Sequence, residues 1–331
     1  MKHRYIAAVA LLAAACGGGG SGPTPVVNPP QIACPADLTV KGVTGAAQDV
    51  SFDNPTTTGG SAPVNVTCAR ASGSSFPLGT TSVSCTANDA AGRQASCSFN
   101  VVLTGFTMPA TRFESVGDSL TQGENGLPAF VDTPNAYPTK LQTLLDRFYP
   151  SQGLTVVNRG VGGERIEATV SSLPGNLNRD RPQAVLVLGG YNNLTLPCGV
   201  GRANTTACGD ATQEAAVGVR DCIRKAKESP VGVKFIFVST LTPPGPVDAK
   251  APDKRIDRDA IIETNRKIRQ FAASEGATLV DTYALFVGHE ADYVSIDGLH
   301  LKPAGYDTIA QAFFDAIRKA IPQTPLFNAV R

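Results

Sequence analysis

Two segments that lie far apart in the 331-residue chain carry side chains that could act together in nucleophilic catalysis. Ser119 lies in the stretch Gly117 to Thr121, which reads GDSLT and follows a short, partly apolar run, Thr111 to Val116, that we predict to be a strand. A serine at the end of a buried strand is held rigidly while its hydroxyl faces a crevice, as a nucleophile requires. Taken alone, the stretch also fits an ordinary turn, because glycine, aspartate and serine are common turn residues.

The second segment supplies a base. Beyond residue 16 the chain contains two histidines, His289 and His300. His300 lies three residues after Asp297 and shortly before Pro303, and proline is favoured at the first position of a helix. A carboxylate and an imidazole on one short loop allow the acid to orient the ring and to stabilise its protonated form. We therefore predict that His300 is the base and Asp297 its partner, while His289 is a surface or core residue.

Two further segments could supply hydrogen-bond donors to a developing oxyanion. Asn158 to Gly163 follows a predicted strand, and a glycine there lets a backbone N–H approach a ligand closely. Gly189 to Asn193 follows another predicted strand and contains asparagine, whose side-chain amide can donate to the same oxygen. The first of these has neither a GxGxxG pattern nor a Walker lysine, which disfavours a phosphate-binding loop. Each segment taken singly also fits a simple turn.

Strands and helices alternate from about Thr107 onward, which predicts an α/β, doubly wound fold with a mostly parallel sheet. In such sheets the ligand crevice lies beyond the carboxyl ends of the strands, and the four candidate segments all follow strands. The further predicted strands are Leu154 to Asn158, Ala184 to Leu188, Val233 to Val238 and Thr278 to Val280. The predicted helices are Tyr137 to Phe148, Thr212 to Glu228, Asp257 to Ala273 and one that begins at Pro303.

Taken together, the four segments resemble a GDSL/SGNH hydrolase domain over about Phe113 to Ile321. One departure is Asn193, where the family often has aspartate. The alternative α/β-hydrolase fold is disfavoured because no G-x-S-x-G elbow occurs. The positions that match the family's blocks, in chain order, are Ser119, Gly163, Asn192, Asp297 and His300.

The resemblance implies acyl transfer without a metal or a cofactor. His300 would take the proton from Ser119 as the serine attacks an ester carbonyl, and Asp297 would orient His300. The N–H groups of Ser119 and Gly163 and the amide of Asn192 would hold the oxyanion, and water would then hydrolyse the acyl-enzyme. No metal-ligand cluster is visible in the sequence.

Short β-rich runs alternate with turn signals over residues 31–105, which predicts an all-β sandwich in front of a hydrolase domain at 107–331. Four cysteines in this stretch allow three pairings, of which we favour Cys34–Cys97 with Cys68–Cys85. The predicted strands are Leu38 to Val40, Val50 to Phe52, Val64 to Thr67, Thr81 to Ser84 and Ser96 to Leu103.

This stretch resembles a hyalin-repeat (HYR) module of the immunoglobulin-like kind. The resemblance implies a spacer or docking domain, since the family is associated with adhesion or spacing. Carbohydrate binding is the alternative, and it is disfavoured because a glycan platform needs exposed aromatic rings, whereas we predict that the aromatic residues here lie in the core. The matching residues are Cys34-Pro35, Leu38 to Val40, Ser72-Gly73, Phe76 to Thr81 and Cys85 to Gly92, and the aromatic ones are Phe52, Phe76 and Phe99.

The first 15 residues are predicted to be a signal peptide, with a basic start and an apolar run too short to span a bilayer. Three alanines then precede Cys16, which resembles a bacterial lipobox and predicts lipid on the Cys16 thiol. A plain secretory signal is the alternative. Residues 16–30, rich in glycine, serine and proline, are predicted to be a linker. We therefore expect an exported protein, anchored by lipid in a bacterial envelope, or else secreted or periplasmic.

Composition supports export and excludes one class of partner. Eight cysteines and only two methionines fit an exported protein, and a net charge of +1 without a basic run disfavours nucleic acid binding.

Two insertions, Leu194 to Asp210 and Leu241 to Lys254, are expected to border the crevice. The first is expected to contain a Cys198–Cys208 disulfide, and Cys222 is expected to be a buried free thiol.

Neither insertion is a long apolar lid, which favours a short-chain or soluble ester as the substrate. A polysaccharide O-acetylesterase and a lysophospholipase-type lipase are alternatives within the same chemistry. A cell-surface adhesion protein with a vestigial hydrolase domain is the alternative from another class.

Overall fold

The computed structural model describes residues 27–41, 47–126, 130–150, 152–249 and 253–325. The predicted signal peptide, Cys16 and most of the predicted linker lie outside these residues. The chain divides into two compact units, one with Phe52–Ser72 and Ser82–Phe99, the other with Asp37–Ser51, Gly73–Thr81 and all residues from Asn100. The predicted domain boundary near residue 106 stays a prediction.

The first unit is held by two disulfides, Cys34–Cys97 and Cys68–Cys85, as the sequence predicted. Phe99 is buried and packs edge-on against the Phe52 ring at 4.9 Å between centroids. The strands of residues 27–104 are β1 (Gln31–Ala33), β2 (Leu38–Lys41), β3 (Ala47–Val50), β4 (Thr56–Thr58), β5 (Asn65–Cys68), β6 (Ser74–Pro77), β7 (Gly79–Asn88) and β8 (Gln94–Thr104).

Most of the pairs that these strands form are antiparallel. β1 pairs antiparallel with β4 and β5 pairs antiparallel with β7, while β3 pairs antiparallel with β6 and β2 runs parallel to β8. The sequence missed β1, β4 and β6, which are short and carry few β-branched apolar residues to mark them. The strand predicted at Val50 to Phe52 lies instead at β3, where only Val50 is buried.

The second unit contains a five-stranded parallel sheet of order β11-β10-β12-β13-β14. β12 reads AVLVL and is buried at every position, which is expected of a strand covered on both faces. A separate antiparallel pair joins β9 (Phe106–Thr107) to β15 (Thr324–Pro325). The sheet strands are β10 (Arg112–Gly117), β11 (Thr155–Gly160), β12 (Ala184–Leu188), β13 (Phe235–Ser239) and β14 (Thr278–Val280).

Helices cover the sheet through the apolar faces that their periodicity predicts. Tyr137 stacks on Phe313 with ring centroids 5.1 Å apart, so that α2 packs on α9. None of the helices that the structure describes is long and apolar enough to cross a membrane. The helices are α1 (Ser119–Gln122), α2 (Tyr137–Phe148), α3 (Ile166–Asp180), α4 (Tyr191–Leu194), α5 (Thr206–Lys227), α6 (Arg258–Glu275), α7 (Thr282–Phe286), α8 (Glu290–Tyr293) and α9 (Pro303–Ala320).

The sequence missed helix α3 because Pro174 lies in its interior. A proline there removes a backbone donor and is unfavourable in a helix, so the pattern argued against one. Tertiary packing outweighs that cost, since Ile166, Leu173 and Leu177 are buried on one face of α3. Helix α5 likewise begins six residues before its predicted start, at Thr206, behind the N-cap Thr205.

The strand order explains why distant segments meet. β10 is the first strand of the sheet, and its neighbours are the second strand, β11, and the third, β12. The strand after β10 lies on one side of it and the next strand lies on the other, so the strand order reverses at β10. At such a topological switch point a crevice opens beyond the carboxyl ends of the strands. Ser119 and both glycine-containing segments follow these three strands directly.

A buried carboxyl group interrupts the apolar interior. Glu114 on β10 has no exposed surface, and neither of its carboxyl oxygens has a hydrogen-bond partner among the described residues. Burial, reinforced by the nearby Asp180 carboxylate, raises the pKa of Glu114 to about 7 from a usual 4.5. The folded protein therefore holds a proton on Glu114 that the unfolded chain releases at a lower pH.

Replacing Glu114 should change how stability depends on pH. Because the folded pKa is raised, the stability linked to the protonated carboxyl is present below pH 4.5 and is lost as pH rises through 7. Glu114→Gln should therefore gain stability over the wild type as pH rises from 4.5 to 8, by on the order of 1 kcal/mol or more. Urea denaturation at pH 4.5, 6 and 8 measures this. Glu228→Gln, at an exposed position, is the control, and an equal change with pH in both variants would contradict the prediction.

Candidate active site

Ser119 is the first residue of helix α1, directly beyond the carboxyl end of β10, and its side chain is almost buried. The turn before it requires Gly117, whose φ is +149° and whose Cβ would overlap the carbonyl oxygen of Leu188 on β12. Only glycine can occupy such a position without displacing the neighbouring strand. The serine hydroxyl is therefore placed by main-chain packing in the sheet.

Asp118 fixes the same turn from inside the protein. Its side chain accepts hydrogen bonds from the N–H groups of Leu120 at 3.2 Å and of Gly190 and Tyr191 at 3.1 Å. The last two belong to the segment after β12, so this carboxyl group ties two candidate segments together. Complete burial raises the pKa of Asp118 to about 6, in spite of these three backbone hydrogen bonds.

Ser119, His300 and Asp297 form a continuous hydrogen-bonded line. His300 Nε2 lies 2.9 Å from Ser119 Oγ, and His300 Nδ1 lies 2.6 Å from Asp297 Oδ2. The other carboxylate oxygen of Asp297 accepts from the N–H groups of Leu299 and His300. Although burial opposes it, hydrogen bonding to His300 holds the pKa of the Asp297 carboxyl below its usual value. The other histidine, His289, is exposed and stacks on Tyr293.

The second insertion holds the loop that carries Asp297 and His300. Three backbone N–H groups of the insertion, at Gly245, Asp248 and Lys254, each donate at 3.0 Å to carbonyl groups of residues 296–298. Gly298 adopts a φ of +77°, and a Cβ there would overlap the side chain of Arg255. The acid and the base are therefore fixed by a segment that comes from a different part of the chain.

Gly163 and Asn192 line the same cavity as Ser119 and His300. Gly163 has a φ of +77°, and a Cβ built on it would meet no atom within 4 Å, so its backbone faces open space. The Asn192 amide nitrogen donates to the Glu164 carbonyl at 2.9 Å. Asn158 braces the segment before Gly163, since its amide donates to the Thr121 carbonyl at 2.9 Å. Residues of the second and third segments thus line the same cavity as Ser119.

Asn193 couples these two segments, and the sequence did not reveal this role. Its side-chain oxygen Oδ1 accepts from the Ile166 N–H at 3.0 Å, and its side-chain amide nitrogen donates to Glu167 Oε1 at 2.8 Å. The buried Asn193 side chain therefore caps the start of α3, only three residues after Gly163. An aspartate here could accept from Ile166 but could not donate to Glu167.

The cavity around Ser119 has a volume of about 310 Å³. As predicted, both insertions border it, through Thr195 and Leu196 from the first and Asp253 and Lys254 from the second. The predicted Cys198–Cys208 disulfide is present in the first insertion. Cys222 is a buried free thiol, as predicted, and burial raises its pKa to about 12. Within the described ranges, no group of three or more histidine, cysteine, aspartate or glutamate side chains could hold a metal ion.

Two charged side chains in this cavity were missed from the sequence. Glu124 Oε1 lies 3.5 Å from His300 Nε2, and Lys254 Nζ lies 3.7 Å from Glu124 Oε1 and 3.8 Å from Asp297 Oδ2. No spacing pattern marks either residue, because both lie in irregular segments and are joined only by the tertiary fold. The signal that could have found Lys254 is its place at the end of an insertion expected to border the crevice.

Comparison with known families gives the same class of protein that the fold and the site define. Residues 115–308 match the model of the GDSL-like lipase/acylhydrolase family, so the chain belongs to that family. The C-terminal domain is therefore of the carboxylic ester hydrolase class. Residues 27–103 match the model of the HYR domain, which lies on the amino-terminal side of the hydrolase domain.

Particular relatives are similar to parts of the chain. A putative arylesterase from Agrobacterium tumefaciens is 19% identical with a TM-score of 0.50, covering 63% of this chain and 99% of that one. A carbohydrate acetylesterase family member from Sinorhizobium meliloti is 15% identical with a TM-score of 0.51, covering 63% and 98%. At these identities the likeness establishes the fold.

A curated relative matches over a shorter stretch. The spore germination lipase of Bacillus licheniformis is 36% identical over 47 residues, which are 14% of this chain. The match spans about a fifth, 22%, of the length of that lipase.

The coupling through Asn193 can be tested by a double-mutant cycle. Asn193→Asp should destabilise the protein by about 1–3 kcal/mol, because it places a carboxylate against Glu167 in place of an amide donor. Adding Glu167→Gln should recover most of that loss, since the glutamine amide can donate to the new carboxylate. Thermal or urea unfolding of the two single variants and the double variant gives the coupling energy. Strictly additive effects would mean that Asn193 does not act through Glu167.

Proposed function

We propose that the chain is a serine esterase that hydrolyses carboxylic esters through a covalent acyl-enzyme. The observation that carries the proposal is the line from Ser119 Oγ through His300 to Asp297, with distances of 2.9 and 2.6 Å. A nucleophile, a base within hydrogen-bond reach and a group that orients the base are what this chemistry needs. The complete set argues against a vestigial domain that serves only adhesion.

In the proposed reaction His300 Nε2 takes the hydroxyl proton of Ser119 while Oγ attacks the ester carbonyl. The tetrahedral intermediate collapses, the bond to the alcohol oxygen breaks, and Nε2 returns the proton to that oxygen. Water then enters, gives a proton to Nε2 and attacks the acyl carbon. The bond between the acyl carbon and Oγ breaks, Oγ takes the proton back from Nε2, and the acid leaves. Asp297 keeps the imidazole in the orientation that both steps use and stabilises its charged form.

The N–H groups of Ser119 and Gly163 and the amide of Asn192 are the proposed oxyanion hole. The open space beside Gly163 and the presence of Asn192 in the lining of the cavity that contains Ser119 support this assignment. These donors are held in place before substrate arrives, by Asp118 on one side and by Asn158 and Asn193 on the other. Preorganised donors stabilise developing charge without reorganisation during the reaction.

The size and polarity of the cavity support a short-chain or soluble ester as the substrate. A volume of about 310 Å³ is at the lower end for small-molecule sites, and Leu196 and Leu299 are its large apolar lining residues. A long acyl chain would find little apolar surface there. Acetyl esters of polysaccharides are therefore a second candidate substrate class, and a lysophospholipase-type activity is less well supported.

Export and anchoring complete the proposal. Three disulfides in the described chain support an oxidising, extracytoplasmic location. The proposed lipid on Cys16 would tether the protein to a bacterial membrane, outer membrane or cell surface, with residues 17–30 as the spacer. The HYR domain would then serve as a spacer or docking module.

Removing the nucleophile or the base should abolish activity. Ser119→Ala and His300→Ala should each lower kcat on p-nitrophenyl acetate by at least about 10³-fold, because each removes an atom that takes part in every turnover. Asp297→Asn should also lower kcat strongly. A p-nitrophenyl ester series from acetate to laurate gives the acyl preference, and we expect activity to fall beyond short chains. His289→Ala is the matched control, and a Ser119→Ala protein that keeps its activity would refute the assignment.

Removing the oxyanion donor of Asn192 should affect chemistry more than binding. Asn192→Ala should lower kcat by about 10²- to 10³-fold with a small change in KM, because the donor acts on charge that develops in the transition state. Steady-state kinetics on the same ester separates the two parameters. A rise in KM with kcat preserved would instead assign Asn192 to ground-state binding.

A further inference from the structure

We propose that Glu124 and Lys254 form a subsite for the alcohol part of the substrate, and that this subsite selects alcohols with a free hydroxyl on the carbon adjacent to the one that bears the ester oxygen. The inference rests on the proposed esterase function and names the leaving-group chemistry of that same site. Neither residue has a part in the proton transfers described above, although both line the cavity.

The route of the proton brings the alcohol part of the substrate close to Glu124. The leaving oxygen takes its proton from His300 Nε2, so it must come within about 2.6–3.2 Å of that nitrogen. Glu124 Oε1 already lies 3.5 Å from the same nitrogen. A substituent on the carbon that bears the leaving oxygen, or on the next carbon, is therefore close to the Glu124 carboxylate.

Glu124 and Lys254 together offer what a hydroxyl group needs. A hydroxyl both donates and accepts, and here a carboxylate acceptor and an ammonium donor lie 3.7 Å apart. That separation is longer than a normal hydrogen bond, so each group keeps capacity for a hydroxyl that contacts both from beside the pair. Hydrogen bonds to charged groups are stronger than those between neutral groups.

Both groups are held against the catalytic residues by their own backbones. The Glu124 N–H donates to the Ser119 carbonyl at 2.9 Å, and the Glu124 carbonyl accepts from the Tyr306 hydroxyl. The Lys254 N–H donates to the Asp297 carbonyl at 3.0 Å. The side chains remain 19% and 37% exposed, so a substrate in the cavity can reach them.

The local charge disfavours other kinds of alcohol. Asp253 is neutralised by a 2.7 Å ion pair with Arg255, so that among the described residues the Glu124 and Asp297 carboxylates share one ammonium group, that of Lys254. An alcohol that carries a phosphate or a carboxylate near the ester would meet this excess negative charge at close range. A plain alkyl or aryl alcohol would displace water from both charged groups without offering them a hydrogen bond.

A pair of esters that differ by one hydroxyl tests the inference. The substrates are the monoacetate of trans-1,2-cyclohexanediol and cyclohexyl acetate, and acetate release gives kcat/KM for each. The wild-type protein should prefer the diol ester by at least about tenfold, the effect of a hydrogen bond to a charged group. Glu124→Gln and Lys254→Met should each bring the ratio of the two kcat/KM values toward one. Asp253→Asn, which removes another carboxylate of the same cavity, should keep the wild-type ratio.

Each other outcome has a definite meaning. Equal rates of the wild-type protein on the two esters would overturn the subsite, and so would activity on p-nitrophenyl acetate with none on either cyclohexyl ester. Loss of both activities by the same factor in the Glu124 and Lys254 variants would also overturn it, because the pair would then act by positioning His300 and Asp297. Failure of the wild-type protein on every ester would instead refute the proposed function itself.

Discussion

The site depends on the backbone hydrogen bonds that the buried Asp118 carboxyl group accepts. The carboxyl group accepts backbone hydrogen bonds from its own turn and from the turn after the neighbouring strand, so the nucleophile segment and the asparagine segment cannot move independently. The free energy that opposes its burial is visible in its pKa, raised to about 6. A group that is costly to bury and fully bonded specifies one arrangement of the backbone, since any displacement leaves a polar atom unpaired.

The remaining parts of the site are fixed in the same way, by bonds between loops that come from different strands. Asn193 joins the segment after β12 to the start of α3, and the second insertion forms three backbone hydrogen bonds with the loop of Asp297 and His300. Each side chain proposed to take part in the reaction therefore has a supporting contact that is not itself reactive. This arrangement explains how short loops can hold reacting atoms to the tolerance that acyl transfer requires.

The ordered blocks were enough to select Ser119, Asp297 and His300 as candidates, because Ser119 follows strand β10 and the other two directly precede the amphipathic helix α9. The continuous apolar run of β12 and the amphipathic helices α2 and α9 were predicted to within a few residues from those patterns. Helix α3 was missed because Pro174 contradicts the pattern locally, and only packing with the rest of the domain reveals it. Glu124 and Lys254 could not be predicted, since they are 130 positions apart in sequence and gain meaning only from a distance of 3.7 Å. The roles of Asn193 and Glu114 also depend on partners or burial that no local pattern encodes.

The pairing of β9 with β15 has a consequence for how such a unit can be joined to its neighbours. Phe106–Thr107, which precedes the first strand of the parallel sheet, and Thr324–Pro325, which follows helix α9, form one antiparallel pair, so the two ends of the α/β segment lie side by side. A unit whose ends meet in this way can be joined to a different neighbour through one short junction without opening its sheet.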